Sequence, residues 1–365
     1  MRRTLLSALA LLLCLSLLLP GAACAEEGLL DHDEIQAMLD DYISAHGLDA
    51  DKISVGYIYT ATGDTFYYNE DRWYYSASTY KVPVMMLLAE QEAAGEIDRE
   101  TKLKGLTLGY AEEAILTYSN NDYAHLMMSV LAPTEPECRD LYKQYASLPD
   151  DYYISDFRDY SYFTARFLTE VIQTLYTEPE RFPNIIDCLL SAQPDHYFRL
   201  KVKDYPIAQK YGSFKDNSQR DFNHTTGVIY LPNPIILTVM TQDAPGPETV
   251  IGDIAELFVN YSLALDARLE AYRAEQEAQR IAAEEEARRL EAERLAAEEA
   301  ARLEAEAEAT TEPTAEATPA ATPSPVPTAP ETESGNINSR LYVLIVCAIV
   351  LLLAAALTLG RRKHK

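Results

Sequence analysis

Ser78 and Lys81 stand three residues apart, where a small polar turn runs into an apolar helical pattern. This spacing places a hydroxyl and an amine on one face of the first turn of a helix. A serine hydroxyl becomes an effective nucleophile when a base takes its proton, and a lysine amine is such a base once burial or a neighbouring cation lowers its pKa. Ser78 is therefore a candidate nucleophile and Lys81 its candidate base. Taken alone, the pair is better explained as an N-cap serine followed by an exposed lysine.

A second polar group lies further along the chain, where Ser119 and Asn121 precede another helical pattern. The hydroxyl of Ser119 can pass a proton to a leaving group, and the carboxamide of Asn121 can hold a substrate amide. A simple capping sequence explains this stretch better when it is considered in isolation. The second group therefore indicates a catalytic site only in combination with other motifs.

A third group, Lys210 and Gly212, falls on a run of residues typical of a strand. A lysine there can attract a substrate carboxylate. A glycine lets the strand backbone approach a ligand closely, so that an N–H group can join an oxyanion hole. Alone, the stretch is only a strand with an exposed lysine.

Together, in this order and on these elements, the three groups resemble the Ser-x-x-Lys, Ser-Asp-Asn and Lys-Thr-Gly motifs of class A β-lactamases and penicillin-binding proteins. The resemblance extends from about Ile35 to Leu263. It implies that Ser78 is the acylated nucleophile and Lys81 the activating base. The same resemblance implies that Ser119 is the proton shuttle, Asn121 the substrate-amide anchor and Lys210 the carboxylate-binding cation. It also implies that the N–H groups of Ser78 and Ser213 form the oxyanion hole.

Two motif positions depart from the family pattern, and a missing loop glutamate is a third departure. Asn120 replaces the usual aspartate of the second motif, and Tyr211 replaces the usual threonine or serine of the third, although Ser213 offers a hydroxyl two residues later. These changes bear on how a substrate carboxylate would be bound. His224 precedes a strand near where the family often has a cation, and a partly buried strand histidine explains it equally well.

The resembled class A enzymes deacylate with a loop glutamate, and no Glu-x-x-Leu-Asn pattern occurs between Asn121 and Gln193. Four aspartates lie in the corresponding stretch, where turn or cap formation is their ordinary role: Asp150, Asp151, Asp156 and Asp159. Without a carboxylate to position water, an acyl-enzyme persists. That behaviour resembles a penicillin-binding protein more than an efficient β-lactamase.

These observations favour a serine hydrolase that forms an acyl-enzyme with β-lactams. We expect it to contain no metal and to need no cofactor. A D,D-peptidase acting on peptidoglycan stem peptides uses the same chemistry and is the first alternative. A non-catalytic module that binds β-lactams or the cell wall is the second. The formal net charge of −26 argues against a nucleic acid partner, and the sequence indicates no oligomeric state.

The elements around the motifs predict an α+β domain over residues 26–264. Helical periodicity indicates an N-terminal helix, a helix starting near Ser78 and a mostly α subdomain. Strand patterns and turn residues indicate a hairpin before Ser78 and three strands late in the domain. We expect one antiparallel five-stranded sheet flanked by helices. The predicted ranges are helices in 29–46, 78–93, 111–176 and 249–263, and strands in 54–60, 65–68, 207–214, 225–231 and 235–241.

The two ends of the chain carry export and anchoring signals. Residues 1–25 read as a signal peptide cleaved after Ala25, with lipid attachment at Cys24 as the weaker alternative. Residues 341–360 form an apolar run long enough to span a bilayer, and the basic tail 361–365 fixes that end inside. The expected location is therefore the cell membrane, single-pass, with the catalytic domain extracytoplasmic.

Between domain and anchor, residues 265–309 are rich in Ala, Glu and Arg, and residues 310–340 in Pro, Thr and Ala. The first segment predicts a charged helix acting as a spacer, because its leucines keep no strict heptad and a coiled coil is less favoured. The second predicts a disordered linker. Cys138 and Cys188 remain in the exported part, where one disulfide and two free thiols are equally compatible with the sequence.

Overall fold

The computed structural model describes residues 29–148 and 155–309. Outside those ranges lie the predicted signal peptide, Cys24, Asp150, Asp151, the linker, the membrane span and the basic tail. The strands are β1 Ile53–Tyr59, β2 Asp64–Tyr68, β3 Tyr74–Tyr75, β4 Lys102–Leu103, β5 Leu106–Thr107, β6 Tyr162–Phe163, β7 Ile207–Lys215, β8 Asp221–Ile229 and β9 Ile235–Gln242. The helices are α1 His32–Ala45, α2 Lys81–Ala93, α3 Leu108–Glu112, α4 Asn121–Leu131, α5 Glu135–Leu141, α6 Ala165–Thr177, α7 Ile185–Leu190, α8 Phe198–Lys201 and α9 Pro247–Ala309.

Five strands form the central antiparallel sheet, in the order β2-β1-β9-β8-β7. The predicted α+β class with a five-stranded antiparallel sheet is confirmed. Both predicted hairpins form, β1 with β2 and β8 with β9. The order places β7 at one edge of the sheet, so that half of its backbone N–H and C=O groups point away from β8.

Each face of the sheet is covered by helices because its strands alternate apolar side chains between the two sides. Ile236 and Met240 of β9 belong to a core shared with α2, α4 and α6. Leu237 and Val239 of the same strand belong to a second core shared with α1 and α9. The domain is therefore three layers deep, and the candidate motif residues of α2 and α4 lie in the layer on the first face.

Two elements differ from the sequence prediction. Ser78 lies in a 3₁₀ turn, Ala77–Tyr80, and the α-helix begins only at Lys81. Short 3₁₀ turns at helix starts are common because they satisfy exposed N–H groups with tighter bonds. Strand β8 begins at Asp221, four residues before the predicted start, since Asn223 and His224 are polar yet buried in the sheet.

Cys138 and Cys188 are both free thiols. Cys138 is buried on α5 and Cys188 is half-buried on α7. Of the two alternatives left by the sequence, the structure therefore contains the free thiols. Within the described ranges, no helix combines the length and the hydropathy needed to cross a membrane.

Helix α9 runs for 63 residues, and the chain divides into two units after Arg288. In the first unit, Leu265 and Leu269 are buried in the second core. Tyr59 donates its hydroxyl hydrogen bond to Asp266 Oδ1 at 2.5 Å, and Arg268 pairs with Glu34 at 2.8 Å. In the second unit, the described side chains of residues 289–307 are all exposed, as a charged helix predicts.

We expect a chain ending at residue 264 to be less stable than one ending at residue 276. The shorter chain loses Leu265 and Leu269 from the core, at roughly 1.5–3 kcal/mol for each buried leucine. Urea unfolding of both proteins measures the difference. Equal unfolding midpoints would show that α9 contributes nothing beyond residue 264.

Candidate active site

The turn that carries Ser78 is held from two sides. The N–H of Ser76 donates to the carbonyl of Ser161 at 2.8 Å, and the hydroxyl of Thr79 donates to the carbonyl of Ser76 at 2.6 Å. Ala77 has φ +46°, a left-handed conformation that costs about 1–3 kcal/mol for a residue with a side chain. The surrounding contacts therefore hold this turn in a conformation that the sequence alone disfavours.

His224 is a structural anchor for the strand that leads into this turn. Its Nε2 donates to the carbonyl of Tyr75 at 2.9 Å, while its Nδ1 accepts from the N–H of Thr241 at 3.3 Å. Burial lowers the pKa of His224 to about 4. The ring is therefore neutral at physiological pH and does not supply the cation considered from the sequence.

Lys81 is fully buried and lies at the centre of the candidate site. Its Nζ is 2.5 Å from the carbonyl oxygen of Ser119, 2.6 Å from Oδ1 of Asn121 and 3.1 Å from Oγ of Ser78. A carbonyl oxygen can only accept a hydrogen bond, so the first two contacts use two N–H groups. A neutral amine then has its lone pair left for the hydroxyl proton of Ser78. This geometry suits a general base.

Burial lowers the pKa of Lys81 to about 8. Burial, with a smaller contribution from Lys81, also holds the pKa of Lys210 well below its ordinary value. Two ammonium groups in one dry site repel each other and lose their hydration, so the neutral forms are favoured. The pair thus supplies an amine base near neutral pH.

Ser119 connects the two lysines. Its Oγ lies 3.0 Å from Lys81 Nζ and 3.0 Å from Lys210 Nζ, and it accepts a hydrogen bond from Lys210. Because both N–H groups of a neutral Lys81 are taken by carbonyl oxygens, the hydroxyls of Ser119 and Ser78 share the remaining side of that amine. A proton taken from Ser78 can thus pass through Lys81 to Ser119 and on to a leaving group. Ser119 has φ +58°, which helps to turn its carbonyl toward Lys81.

Of the two residues that follow Ser119, one has a structural role and the other belongs to the site. Asn120 is the N-cap of α4, because its side chain accepts from the N–H of Tyr123 at 2.9 Å. The capping interpretation of this stretch thus applies to Asn120. Asn121 instead turns its Oδ1 toward Lys81, and its amide nitrogen is the group that can meet an acyl-side carbonyl.

Lys210 is buried, not exposed as a plain strand lysine would be. Besides its bond to Ser119, it donates to the carbonyl of Tyr211 at 2.9 Å. The centre of the Tyr211 ring lies 4.4 Å from Lys210 Nζ, and that ring stacks on Tyr197 at 5.2 Å. Tyr211, which replaces the usual threonine or serine of the third motif, therefore covers Lys210.

Strand β7 presses its backbone against the nucleophile turn at Gly212. A Cβ on Gly212 would come within 2.7 Å of the backbone nitrogen of Ser78 and 3.1 Å of the carbonyl oxygen of Ser76. Only glycine allows this approach. Ser213 follows on the exposed part of the same edge strand, so its N–H and that of Ser78 belong to adjoining segments, as the predicted oxyanion hole requires.

The structure therefore brings Ser78, Lys81, Ser119, Asn121 and Lys210 into one hydrogen-bonded group, with Gly212 and Ser213 beside it. It does not bring in a carboxylate. Among the described residues, no hydrogen bond of Lys81 or Lys210 goes to an acid.

The remaining aspartates considered from the sequence lie elsewhere or outside the described residues. Asp156 and Asp159 belong to a π-helical turn, Ser155–Asp159, and Asp159 pairs with Arg158 at 3.3 Å. Sequence reasoning missed the left-handed residues Ala77 and Ser119. No local signal could have found them, because neither is glycine, asparagine or aspartate.

Comparison with known proteins agrees with this fold. The model of the beta-lactamase enzyme family matches residues 32–130 and 147–262, and the chain belongs to this family. No curated protein matches the chain.

Solved structures of β-lactamases are similar in fold over the domain. TLA-3 extended-spectrum beta-lactamase has a TM-score of 0.54 at 14% identity, covering 63% of this chain and 99% of that chain. A beta-lactamase from Chitinophaga pinensis has a TM-score of 0.53 at 12% identity, with coverages of 63% and 99%. The class A enzyme of the last common ancestor of Gram-negative bacteria has a TM-score of 0.51 at 19% identity, with coverages of 62% and 98%.

We expect the rate at which Ser78 is acylated to rise with pH and to level off above a pKa of about 8, because only the neutral amine of Lys81 accepts the proton. Labelling with a fluorophosphonate, measured as a second-order rate constant across this range, tests the profile. Lys81→Arg keeps the charge but cannot deprotonate, so its labelling should fall by about 100-fold or more at every pH. A flat profile in the native protein would exclude Lys81 as the base.

Proposed function

We propose that this domain is a serine hydrolase that forms an acyl-enzyme at Ser78 with β-lactams and releases the acyl group slowly. The observation that carries the proposal is the position of Lys81 Nζ, 3.1 Å from Ser78 Oγ and bonded otherwise to two carbonyl oxygens. An amine held in this way can activate the hydroxyl without any metal or cofactor.

Acylation uses groups that are already in place. Ser78 Oγ bonds to the acyl carbon while Lys81 takes its proton. The backbone N–H groups of Ser78 and Ser213 would receive the developing oxyanion, and Ser119 would protonate the departing nitrogen. Lys81 then returns its proton to Ser119 through their 3.0 Å contact, which restores the neutral amine.

Slow release is proposed because deacylation needs a second activated nucleophile. A water molecule attacking the ester must lose a proton to a base, and a carboxylate normally serves. Among the described residues, no carboxylate contacts Ser78, Lys81 or Ser119. Lys81 remains as a base, but its lone pair already points at the esterified oxygen of Ser78, away from an attacking water.

We also propose that the domain acts outside the cell membrane, anchored through residues 341–360, with the part of α9 beyond Leu269 as a spacer. The support is the sequence pattern of the two ends and the exposed, charged character of the described part of that spacer. A D,D-peptidase fits the same chemistry and location. The molecule with which the acyl-enzyme reacts distinguishes such a peptidase from a β-lactamase.

Incubation of the purified exported domain with labelled penicillin should give a stable adduct that is absent in Ser78→Ala. Ser129→Ala, which alters an exposed serine on α4, is the matched control and should label normally. A chromogenic cephalosporin should be consumed in about stoichiometric amount, with little turnover. Sustained turnover would contradict slow release, and absence of both signals would leave only a binding module.

Removal of residues 341–365 should move the protein from the membrane fraction to the medium, because the proposed span is lost. Immunodetection in the two fractions of an expressing culture measures this. Retention in the membrane fraction would contradict the anchor and point to a lipid at Cys24.

A further inference from the structure

The cation that a substrate carboxylate would need is enclosed at this site. Lys210 has no exposed surface, and its Nζ is already bonded to Ser119 Oγ and to the carbonyl of Tyr211. The ring of Tyr211 lies over the same nitrogen at 4.4 Å and is held there by stacking on Tyr197. A carboxylate approaching along β7 therefore meets the ring of Tyr211 before it can reach the nitrogen of Lys210.

The other cations of this strand edge are not positioned to replace Lys210. Lys215 is exposed at the far end of β7, beyond Phe214. Arg220 lies after the β7–β8 turn, where it pairs with Asp216 at 2.7 Å and donates to the hydroxyl of Tyr162 at 3.3 Å. His224 is neutral and bonded to backbone. An anion placed here would lose hydration without gaining a charged partner, which is unfavourable.

Two aromatic side chains beside residues of the site are exposed. Tyr118, next to Ser119, is 62% exposed, and Phe214, two residues beyond Gly212, is 41% exposed. The ring of Phe214 packs on Tyr75, the residue before the nucleophile turn, at 4.4 Å between centroids. Exposed aromatic rings bind uncharged, apolar groups well and carry no positive charge to pair with an anion.

We propose that the site prefers acyl donors that carry no carboxylate beside the scissile bond, namely esters or amides with an uncharged leaving-group side. This preference rests on the acyl-enzyme chemistry proposed for Ser78. In the reaction, Ser78 Oγ bonds to the acyl carbon and the scissile C–O or C–N bond breaks. The proton of Ser78 passes to Lys81, and the leaving group takes its proton from Ser119, which Lys81 then reprotonates.

The test compares benzylpenicillin with its methyl ester, which differ in the charge of the carboxyl group and in one methyl group. Each competes with a fluorophosphonate for Ser78, and loss of labelling gives the acylation rate. We expect the ester to acylate the native protein at least about tenfold faster. Tyr211→Thr, which uncovers Lys210 and restores a hydroxyl, should raise the rate with the free acid and cancel this preference. Tyr211→Phe keeps the ring and is the matched control, expected to retain the preference.

The outcomes separate this preference from the acyl-enzyme itself. Equal rates for acid and ester, or a faster acid, in a native protein that the fluorophosphonate still labels would overturn the preference and leave the acyl-enzyme standing. Failure of the fluorophosphonate and both penicillins to modify Ser78 would overturn the two proposals together. Thermal melting would show whether Tyr211→Thr unfolds. In that case the comparison of the native protein with Tyr211→Phe still tests the role of the ring, because loss of the preference in Tyr211→Phe would contradict that role.

Discussion

The burial of the Lys81 amine is the constraint on which the rest of the site depends. A buried, unpaired ammonium group costs on the order of several kcal/mol, and among the described residues no carboxylate contacts this one. Burial lowers the pKa of the amine to about 8, so the neutral form becomes populated near and above neutral pH. The burial of this amine therefore creates a base beside Ser78, and no separate activating group is needed.

Three segments from two layers of the domain contribute to this arrangement. Helix α2 supplies Lys81, the segment before α4 supplies the carbonyl of Ser119, and the edge strand β7 supplies Lys210 from the sheet. Because the two lysines meet at one serine hydroxyl, a shift of any layer would disturb all of the hydrogen bonds at once. The apolar cores on both faces of the sheet hold the layers in register.

Two departures from the resembled motifs act on different halves of the reaction. In the proposed reaction, the absence of a contacting carboxylate among the described residues affects the release of the acyl group, whereas Tyr211 affects which acyl donor enters. Neither changes the Ser78 and Lys81 geometry. A family member can thus keep its acylation machinery while its substrate range and its turnover are altered by residues around that machinery.

Much of this protein was decided by local sequence. The spacing of three between Ser78 and Lys81, the strand patterns and the turn residues predict the motifs and the five-stranded sheet, because helix and strand periodicities are short-range properties. Tertiary structure alone decided that Lys210 is buried, that Tyr211 covers it, that His224 is a neutral anchor, and that Ala77 and Ser119 adopt left-handed conformations. Each of these results from contacts between segments far apart in the chain, and burial and desolvation arise only when those segments meet.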